Sequence, residues 1–175
     1  MSNKEFLDHV QDQLTFELQS AYIYKGMASY FADEDWEGFE RFMEIQAIEE
    51  MSHAEDFKRF LQRVGYKVEY KALDEVTSDY SSILDVLEKA LEHEKKVTAR
   101  IEKLYKEANE IGYSKAYSFL LTYLDEQAEE EENFDNLINK VKKAGDNISA
   151  QTMIDKAVGG RPFPSQSPMG RPLGK

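Results

Sequence analysis

The stretch IEEMSHAED, residues 48–56, places a carboxylate and an imidazole, Glu50 and His53, one helical turn apart. Phe57 and Phe60 follow at spacings of four and three, so all four side chains share one face of a helix. Such a Glu and His are either an exposed pair at the edge of the face or two ligands for one metal ion. The pattern of the remaining sequence decides between these interpretations.

Four segments of the chain repeat apolar residues at alternating spacings of three and four, which predicts amphipathic helices of about 25 to 30 residues. The four apolar seams cover residues 7–31, 39–64, 83–108 and 116–141. Good helix formers such as Ala, Leu, Glu and Lys dominate the composition. The sequence therefore predicts an all-α protein built as a four-helix bundle.

The connections between the seams indicate the topology. Residues 32–37 and the turn near Gly112 are short links, so each joins two antiparallel helices. The link over residues 65–79 is longer and reaches about 50 Å when extended, at roughly 3.3 Å per residue. That is enough to cross a helix about 42 Å long. We therefore expect one long crossover, with the second and third helices parallel, and a short fifth helix over residues 149–158.

Each seam is interrupted near its middle by polar residues, and the interruptions share one chemistry. They are Glu17, Gln46, Glu50, His53, Glu94, Gln127 and Glu130. In an antiparallel hairpin, residues equidistant from the turn lie at the same level. The midpoint between the polar residues of the first two helices falls in the first short link, and that between the polar residues of the last two helices falls in the second. Each hairpin therefore brings its own polar residues to one level. Burying several unpaired carboxylates costs several kcal/mol each. We expect the polar residues to form one interior cluster that is neutralised by cations, and oxygen ligands with one imidazole suit iron, manganese or zinc.

Composition excludes several classes of protein. The chain has no Cys, which excludes disulfides, thiolate zinc sites and iron–sulfur clusters. The net charge of −12 disfavours nucleic acid as a partner and favours cations. No apolar run approaches the roughly 18 residues of a membrane helix, and the N-terminus lacks the apolar core of a secretory signal. We therefore expect a cytoplasmic protein with no membrane partner.

The C-terminal segment differs from the rest of the chain. GGRPFPSQSPMGRPLGK, residues 159–175, is rich in Gly, Pro and Ser, and it carries Arg161, Arg171 and Lys175 but no acid. Such a composition predicts a flexible basic tail after a bundle domain of residues 1–158. The tail is either a docking segment for a partner or a solvated extension.

Four motifs, in this order, resemble those of bacterial and archaeal non-haem ferritins over about residues 1–158. They are TFELQSAYIY (15–24), EEMSHAEDF (49–57), EHEK (92–95) and DEQAEEE (125–131). The resemblance implies a ferritin-like bundle and a ferroxidase that oxidises Fe(II) with O2 or peroxide. It also implies storage of the ferric product as a mineral inside a hollow homo-oligomeric shell of 24 subunits.

The resemblance also implies roles for individual residues. Glu17, Glu50 and His53 would hold a first iron, with Glu50 bridging to a second. Glu94 and Glu130 would hold that second iron, with Gln127 nearby and Tyr24 beside the centre. A possible third iron site matches four carboxylates: Glu49, Glu126, Glu129 and Glu130.

The sequence leaves three alternatives open. Rubrerythrin-like oxidases or peroxidases usually carry Glu-x-x-His twice, whereas the fourth seam here has Gln127 and Glu130 without a second His. Bacterioferritin is suggested by Met51, which takes the place of that family's haem-ligating Met, but the missing second His argues against it and we expect no haem. The third alternative is a bundle that binds metal without catalysis. We interpret His9 and His93, which lie off the seams, as surface residues.

Overall fold

Residues 1–173 are described in the computed structural model, and within that range five α-helices follow one another along the chain. Besides a short 3₁₀ turn at Ser114–Ala116, the helices are α1 (Asn3–Asp33), α2 (Glu37–Arg63), α3 (Ile83–Glu110), α4 (Tyr117–Ala144) and α5 (Ile148–Gly159). The only β-type pairing in the described range is one isolated bridge between Gln166 and Pro172. The predicted all-α bundle with a short fifth helix is confirmed.

Short polar side chains define where three of the helices begin. Ser2 and Glu5 form a capping box at the start of α1, in which each residue's side chain bonds the other's backbone amide. Ser82 caps α3, and Asn147 caps α5. These caps satisfy amide groups that have no partner within the helix.

The long link between α2 and α3 runs along α1 from one end of the bundle to the other. The side-chain amide of Gln11 bonds both the backbone oxygen and the backbone nitrogen of Glu69, at 2.8 and 3.0 Å. Gln19 brackets Asp74 in the same way, at 3.2 and 2.7 Å. Because the link advances along α1, α3 begins beside the end of α1 and runs parallel to α2. The predicted crossover is therefore observed.

Glycine is required where this link passes α1. A Cβ at Gly26 would lie 2.3 Å from the backbone oxygen of Thr77, closer than any real contact. The link could not approach α1 this closely if residue 26 carried a side chain.

The apolar core is divided in two by a polar layer. One cluster, at the end of the bundle that holds the α1–α2 link, is rich in aromatic side chains such as Phe31, Phe39 and Phe134. The other, at the opposite end, contains Phe6, Phe57 and further aromatic and aliphatic side chains. Burial of these side chains supplies the main stabilisation of the bundle. The polar seam residues lie between the two clusters.

The fifth helix packs across the start of α2. Trp36, which precedes α2, makes no side-chain cap, and the carboxylate of Asp155 on α5 accepts a 2.8 Å hydrogen bond from the backbone amide of Phe39 instead. A Cβ at Gly38 would lie 1.8 Å from the backbone oxygen of Asp155. Gly38 therefore permits α5 to supply the missing cap.

Residues 161–173 lie against α2 in the structure. Arg161 bonds Glu49 at 2.9 Å, and Arg171 bonds Asp56 at 3.1 Å. Gly174 and Lys175 lie outside the described residues, and the mobility of the tail in solution stays a prediction.

None of the helices within residues 1–173 has the length and apolar character needed to cross a membrane.

Candidate metal centre

The polar seam residues of all four long helices meet in the bundle interior. Each of these side chains is at most 5 % exposed: Glu17, Gln46, Glu50, His53, Glu94, Gln127 and Glu130. Their positions follow from the helical spacing, because each replaces an apolar residue on the face that points to the bundle axis. We refer to these seven residues as the polar layer.

The first hairpin contributes a compact group of three ligand-type side chains. One ligand atom each from Glu17, Glu50 and His53 lie within 4.8 Å of one another. Nδ1 of His53 is 3.6 Å from Oε2 of Glu50 and 4.0 Å from Oε2 of Glu17. Both distances exceed those of ordinary hydrogen bonds, so the imidazole faces the two carboxyl groups across a common space rather than pairing with either.

The second hairpin joins the first through hydrogen bonds between helices. The phenol of Tyr24 on α1 donates to Glu94 on α3, and Nε2 of Gln127 on α4 donates to the other oxygen of Glu94 at 2.9 Å. Nε2 of Gln46 on α2 donates to Oε2 of Glu130 on α4 at 2.8 Å. The two halves of the polar layer therefore form one site.

Burial and mutual repulsion perturb the carboxyl groups of the layer. Burial, followed by the charge of Glu50, raises the pKa of Glu17 well above its usual value. Burial and the charge of Glu94 do the same to the pKa of Glu50. The pKa of Glu94 is raised to about 7, mainly by burial and by the charge of Glu130. Without a cation, these carboxylates hold their charge only at a cost.

Several polar atoms of the layer have no hydrogen-bond partner among residues 1–173. They are Oε2 of Glu17, Oε2 of Glu50, Nδ1 of His53 and Oε1 of Gln127. A buried acceptor without a partner costs about 1–3 kcal/mol, so several at one level point to a missing positive partner. Carboxylate and amide oxygens with one imidazole nitrogen match the ligands that iron, manganese and zinc accept. The residues present therefore fit a metal site.

The carboxylates assigned by resemblance to a third site lie at the edge of the layer and are less buried. Glu49 is paired with Arg161, Glu126 is partly buried, and Glu129 is exposed. Burial raises the pKa of Glu49 to about 7 and also raises the pKa of Glu126. Glu130 is the member that this outer group shares with the layer.

Buried Gln13 and partly buried Arg100 support the layer, and the seam pattern includes neither. Gln13, one turn before Glu17, donates to Oε1 of Glu17 at 2.8 Å. Its own oxygen accepts from Nε of Arg100 at 2.7 Å, and that guanidinium lies 4.3 Å from the ring centre of Phe16. The i,i+4 spacing of Gln13 and Glu17 is the one signal in the sequence that points to this contact.

The surface assignment of His93 is wrong. His93 is 7 % exposed, bonds Oγ of Ser20 at 2.7 Å and stacks on Phe16 at 5.3 Å between ring centres. It lies beside the α3 seam, on the flank that packs against α1, so the seam alone does not reveal its burial. His9 remains 40 % exposed and pairs with Glu107 at 2.8 Å.

Comparisons with known proteins agree with this geometry. The family model of the ferritin-like domain, Ferritin, matches residues 7–144. The bacterial non-haem ferritin of Staphylococcus aureus (strain USA300) is 34 % identical over 163 residues, covering 93 % of this chain and 98 % of its own. That of Staphylococcus saprophyticus is 33 % identical over the same length.

Solved structures show the same similarity. An open-pore ferritin from the archaeon Archaeoglobus fulgidus superposes with a TM-score of 0.90 at 33 % identity, covering 93 % of this chain and 99 % of that one. A humanised archaeal ferritin gives 0.91 at 32 % identity, covering 94 % and 99 %. With a matching family model, relatives aligned over nearly their whole length and the same helical bundle, the chain belongs to the ferritin family.

Proposed function

We propose that this chain is the subunit of an iron-storing ferritin that oxidises Fe(II) to Fe(III) at the polar layer. The observation that carries the proposal is the set of buried ligand-type atoms on Glu17, Glu50 and His53 that surround a common space without hydrogen-bond partners among the described residues. Membership of the ferritin family supports iron as the metal.

In this proposal the layer holds two iron ions as substrates. Glu17, Glu50 and His53 bind the first, while Glu94 and Glu130 bind the second, and Glu50 bridges the two. Burial and the charge of Glu94 raise the pKa of Glu50. Glu50, which belongs to the first hairpin, therefore also lies close to a carboxylate of the second hairpin, and this supports its bridging role. Gln127 donates to Glu94 and therefore lies beside the position of the second iron, and its Oε1 has no partner within residues 1–173.

The ligand set favours oxidation. Carboxylate oxygens are hard ligands that stabilise Fe(III) more than Fe(II), so they make the loss of an electron easier. Two Fe(II) ions together supply the two electrons that reduce O2 to hydrogen peroxide with uptake of two protons. The second position has no imidazole among its ligands, so we expect it to bind iron less tightly and to release the ferric product towards storage.

Tyr24 has a positioning role in this scheme. Its phenol donates to Glu94, and its ring stacks on Phe134 with 6.1 Å between ring centres. Burial and the nearby Glu94 raise the pKa of Tyr24 well above its usual value, which keeps the phenol protonated and able to donate. Tyr24 therefore holds Glu94 oriented towards the second position.

Assembly of many copies into a hollow shell is part of the proposal. Tyr22 and Met51 are 47 % and 53 % exposed beside an apolar groove of about 370 Å³ between α1 and α2. On α5, Ile148 and Met153 are 65 % and 74 % exposed. Exposed apolar surface of this kind is typical of contacts between subunits. The archaeal structures similar to this chain are ferritins, which supports assembly into a shell, and the number of 24 subunits is what the family resemblance implies.

The test is an anaerobic Fe(II) titration followed by an oxygen pulse, with absorbance of Fe(III) and O2 uptake recorded together. The wild type should oxidise bound Fe(II) faster than iron in buffer, and Glu50→Ala should lose that acceleration. Glu55→Ala is the matched control, because Glu55 lies on α2 outside the layer and pairs with Lys58 and Arg59. Equal rates in the wild type and Glu50→Ala would refute the proposal.

The same experiment separates the alternatives. A bundle that only binds metal takes up Fe(II) without accelerating its oxidation. A rubrerythrin-like oxidase keeps its diiron centre after turnover and forms no mineral, whereas a bacterioferritin-like protein is recognised by its haem absorption band. A cytoplasmic location remains a prediction from the sequence.

A further inference from the structure

We propose that Arg161, on the C-terminal tail, occupies the outer carboxylate site, which consists of Glu49, Glu126, Glu129 and Glu130. Arg161 acts there as a built-in cation that an incoming metal ion must displace. This inference rests on the proposed function, because the outer site adjoins the polar layer through Glu130 and would bind the same metal. It concerns a residue outside the helical bundle, in the segment that follows α5.

The contacts of Arg161 place its guanidinium at the outer site. Nη2 bonds Oε1 of Glu49 at 2.9 Å, and Nη1 donates to Oε1 of Gln46. The guanidinium lies 5.3 Å from the ring centre of Phe42, a distance suited to a cation–π contact. Three different partners on α2 therefore fix one side chain of the tail.

Through Gln46, the contact reaches the polar layer itself. Because Oε1 of Gln46 accepts from Arg161, the amide must present Nε2 to the other side, where it donates to Oε2 of Glu130 at 2.8 Å. Arg161 thus engages Glu49 directly and Glu130 through the amide. One carboxylate oxygen of each residue is held by a hydrogen-bond donor where a metal ion would otherwise bind.

A second observation indicates that the outer site suits a cation of higher charge than a guanidinium. Oε2 of Glu49 is buried and has no hydrogen-bond partner among residues 1–173, although its other oxygen is paired with Arg161. A guanidinium keeps its positive charge at any ordinary pH, so it and a metal ion in the same place repel each other. Binding of a metal to Glu49 and Glu130 therefore requires Arg161 to leave.

The tail is held on both sides of Arg161. Nε of Arg41 donates to the backbone oxygen of Gly159 at 3.0 Å, and its guanidinium lies 5.4 Å from the ring centre of Phe163. Further along, Arg171 bonds Asp56 at 3.1 Å. With these anchors in place, the Arg161 side chain can move out and return without release of the whole tail. Arg161 would therefore lower the affinity of the outer site and favour transit of iron over retention.

The test is anaerobic Fe(II) binding to the full chain, measured by isothermal titration calorimetry. Arg161→Gln should gain one additional equivalent per chain, or bind at the outer site about tenfold more tightly, because the competing charge is gone. Arg171→Gln is the matched control: it removes a tail arginine that pairs with Asp56 rather than with the outer site. It should bind Fe(II) like the wild type. Circular dichroism melting verifies that each variant is folded.

Additional variants locate the effect and separate it from the proposed function. The gain should disappear in Arg161→Gln combined with Glu49→Gln, which removes the outer carboxylate. Identical isotherms for Arg161→Gln and the wild type would overturn the inference, as would an equal gain in Arg171→Gln, which would indicate a loosened tail. Glu50→Ala tests the layer independently: if it binds Fe(II) like the wild type, the proposed function fails whatever Arg161→Gln does.

Discussion

Tyr24 on α1 donates a hydrogen bond to Glu94 on α3, and this contact links the two hairpins at the level of the polar layer. The two residues are 70 positions apart in the sequence, and both are completely buried. The bond holds one oxygen of Glu94 in place while Gln127 holds the other at 2.9 Å. The orientation of the candidate ligand therefore depends on side chains from three helices.

Replacing Tyr24 by Phe should weaken metal binding more than it weakens the fold. The bond from Tyr24 lowers the pKa of Glu94, so its loss should raise that pKa further above about 7 and leave the carboxyl more protonated at neutral pH. We expect a loss of stability of about 1–2 kcal/mol and weaker Fe(II) binding, measured by thermal melting and calorimetry.

Tyr123→Phe is the matched control, because it removes a buried hydroxyl that bonds Asp56 at 3.2 Å rather than a candidate ligand. Equal Fe(II) affinities in the two variants would contradict the positioning role of Tyr24.

The metal-free protein should lose stability as the pH rises. Glu94 has a pKa of about 7 when folded and the ordinary value of 4.5 when unfolded. As the pH rises, Glu94 therefore ionises in the unfolded state before it ionises in the folded state. The contribution of Glu94 to the stability of the folded state is complete below pH 4.5 and is lost as the pH rises through about 7. Glu17 and Glu50 shift in the same direction.

Thermal melting of metal-free protein between about pH 6.5 and pH 8 measures this effect, because the opposing contribution of buried His93 is complete above its ordinary pKa of 6.5. Glu94→Gln should flatten the fall, and Fe(II) added anaerobically should restore stability at the alkaline end, because metal binding favours the ionised carboxylates. A melting temperature of the metal-free protein that rises over this range would contradict the account.

Gln127→His should convert the second position into a tighter site. The change supplies an imidazole three residues before Glu130 and so completes a second metal-binding pair, with the reverse order of Glu50 and His53. We expect iron to remain bound after oxidation and less of it to reach mineral, as measured by iron retained after gel filtration. Faster mineral formation in this variant would refute the hypothesis that weak binding at the second position promotes release.

Buried His93 should weaken the fold in acid. Burial lowers its pKa from 6.5 to about 4, so the unfolded state takes up the proton first and stability is lost as the pH falls from 6.5 towards 4. The effect has an upper bound of about 3 kcal/mol, since one pKa unit corresponds to about 1.4 kcal/mol.

Replacing His93 by Gln should flatten the acid side of the stability profile, measured by urea unfolding at several pH values. His9→Gln is the control, since that imidazole is 40 % exposed. A profile for His93→Gln that falls as steeply in acid as the wild type would show that another group is responsible.

The helix seams and the polar layer were predictable from sequence because both depend on local periodicity. Leu7 and Val64, at the ends of their seams, are only partly buried, while the polar interruptions are all buried as the pattern requires. Their meeting at one level followed from the positions of the two short links. This part of the site required no knowledge of side-chain contacts.

The remaining features depend on packing between elements. His93 and Gln13 lie beside the seams, so their burial depends on how closely α1 and α3 approach. The contact of Arg161 with Glu49 joins positions 112 residues apart, and the tail's Gly- and Pro-rich composition has no periodic signal. Such contacts appear only once the helices are placed in three dimensions.

Anomalous diffraction at the iron absorption edge, on crystals loaded anaerobically with Fe(II), shows whether iron binds at the polar layer. We expect iron peaks inside the bundle, bound by Glu17, Glu50 and His53 on one side and by Glu94 and Glu130 on the other. These peaks should be absent in Glu50→Ala and present in Glu55→Ala. Iron bound only to exposed carboxylates, with the polar layer unchanged and empty, would contradict this expectation.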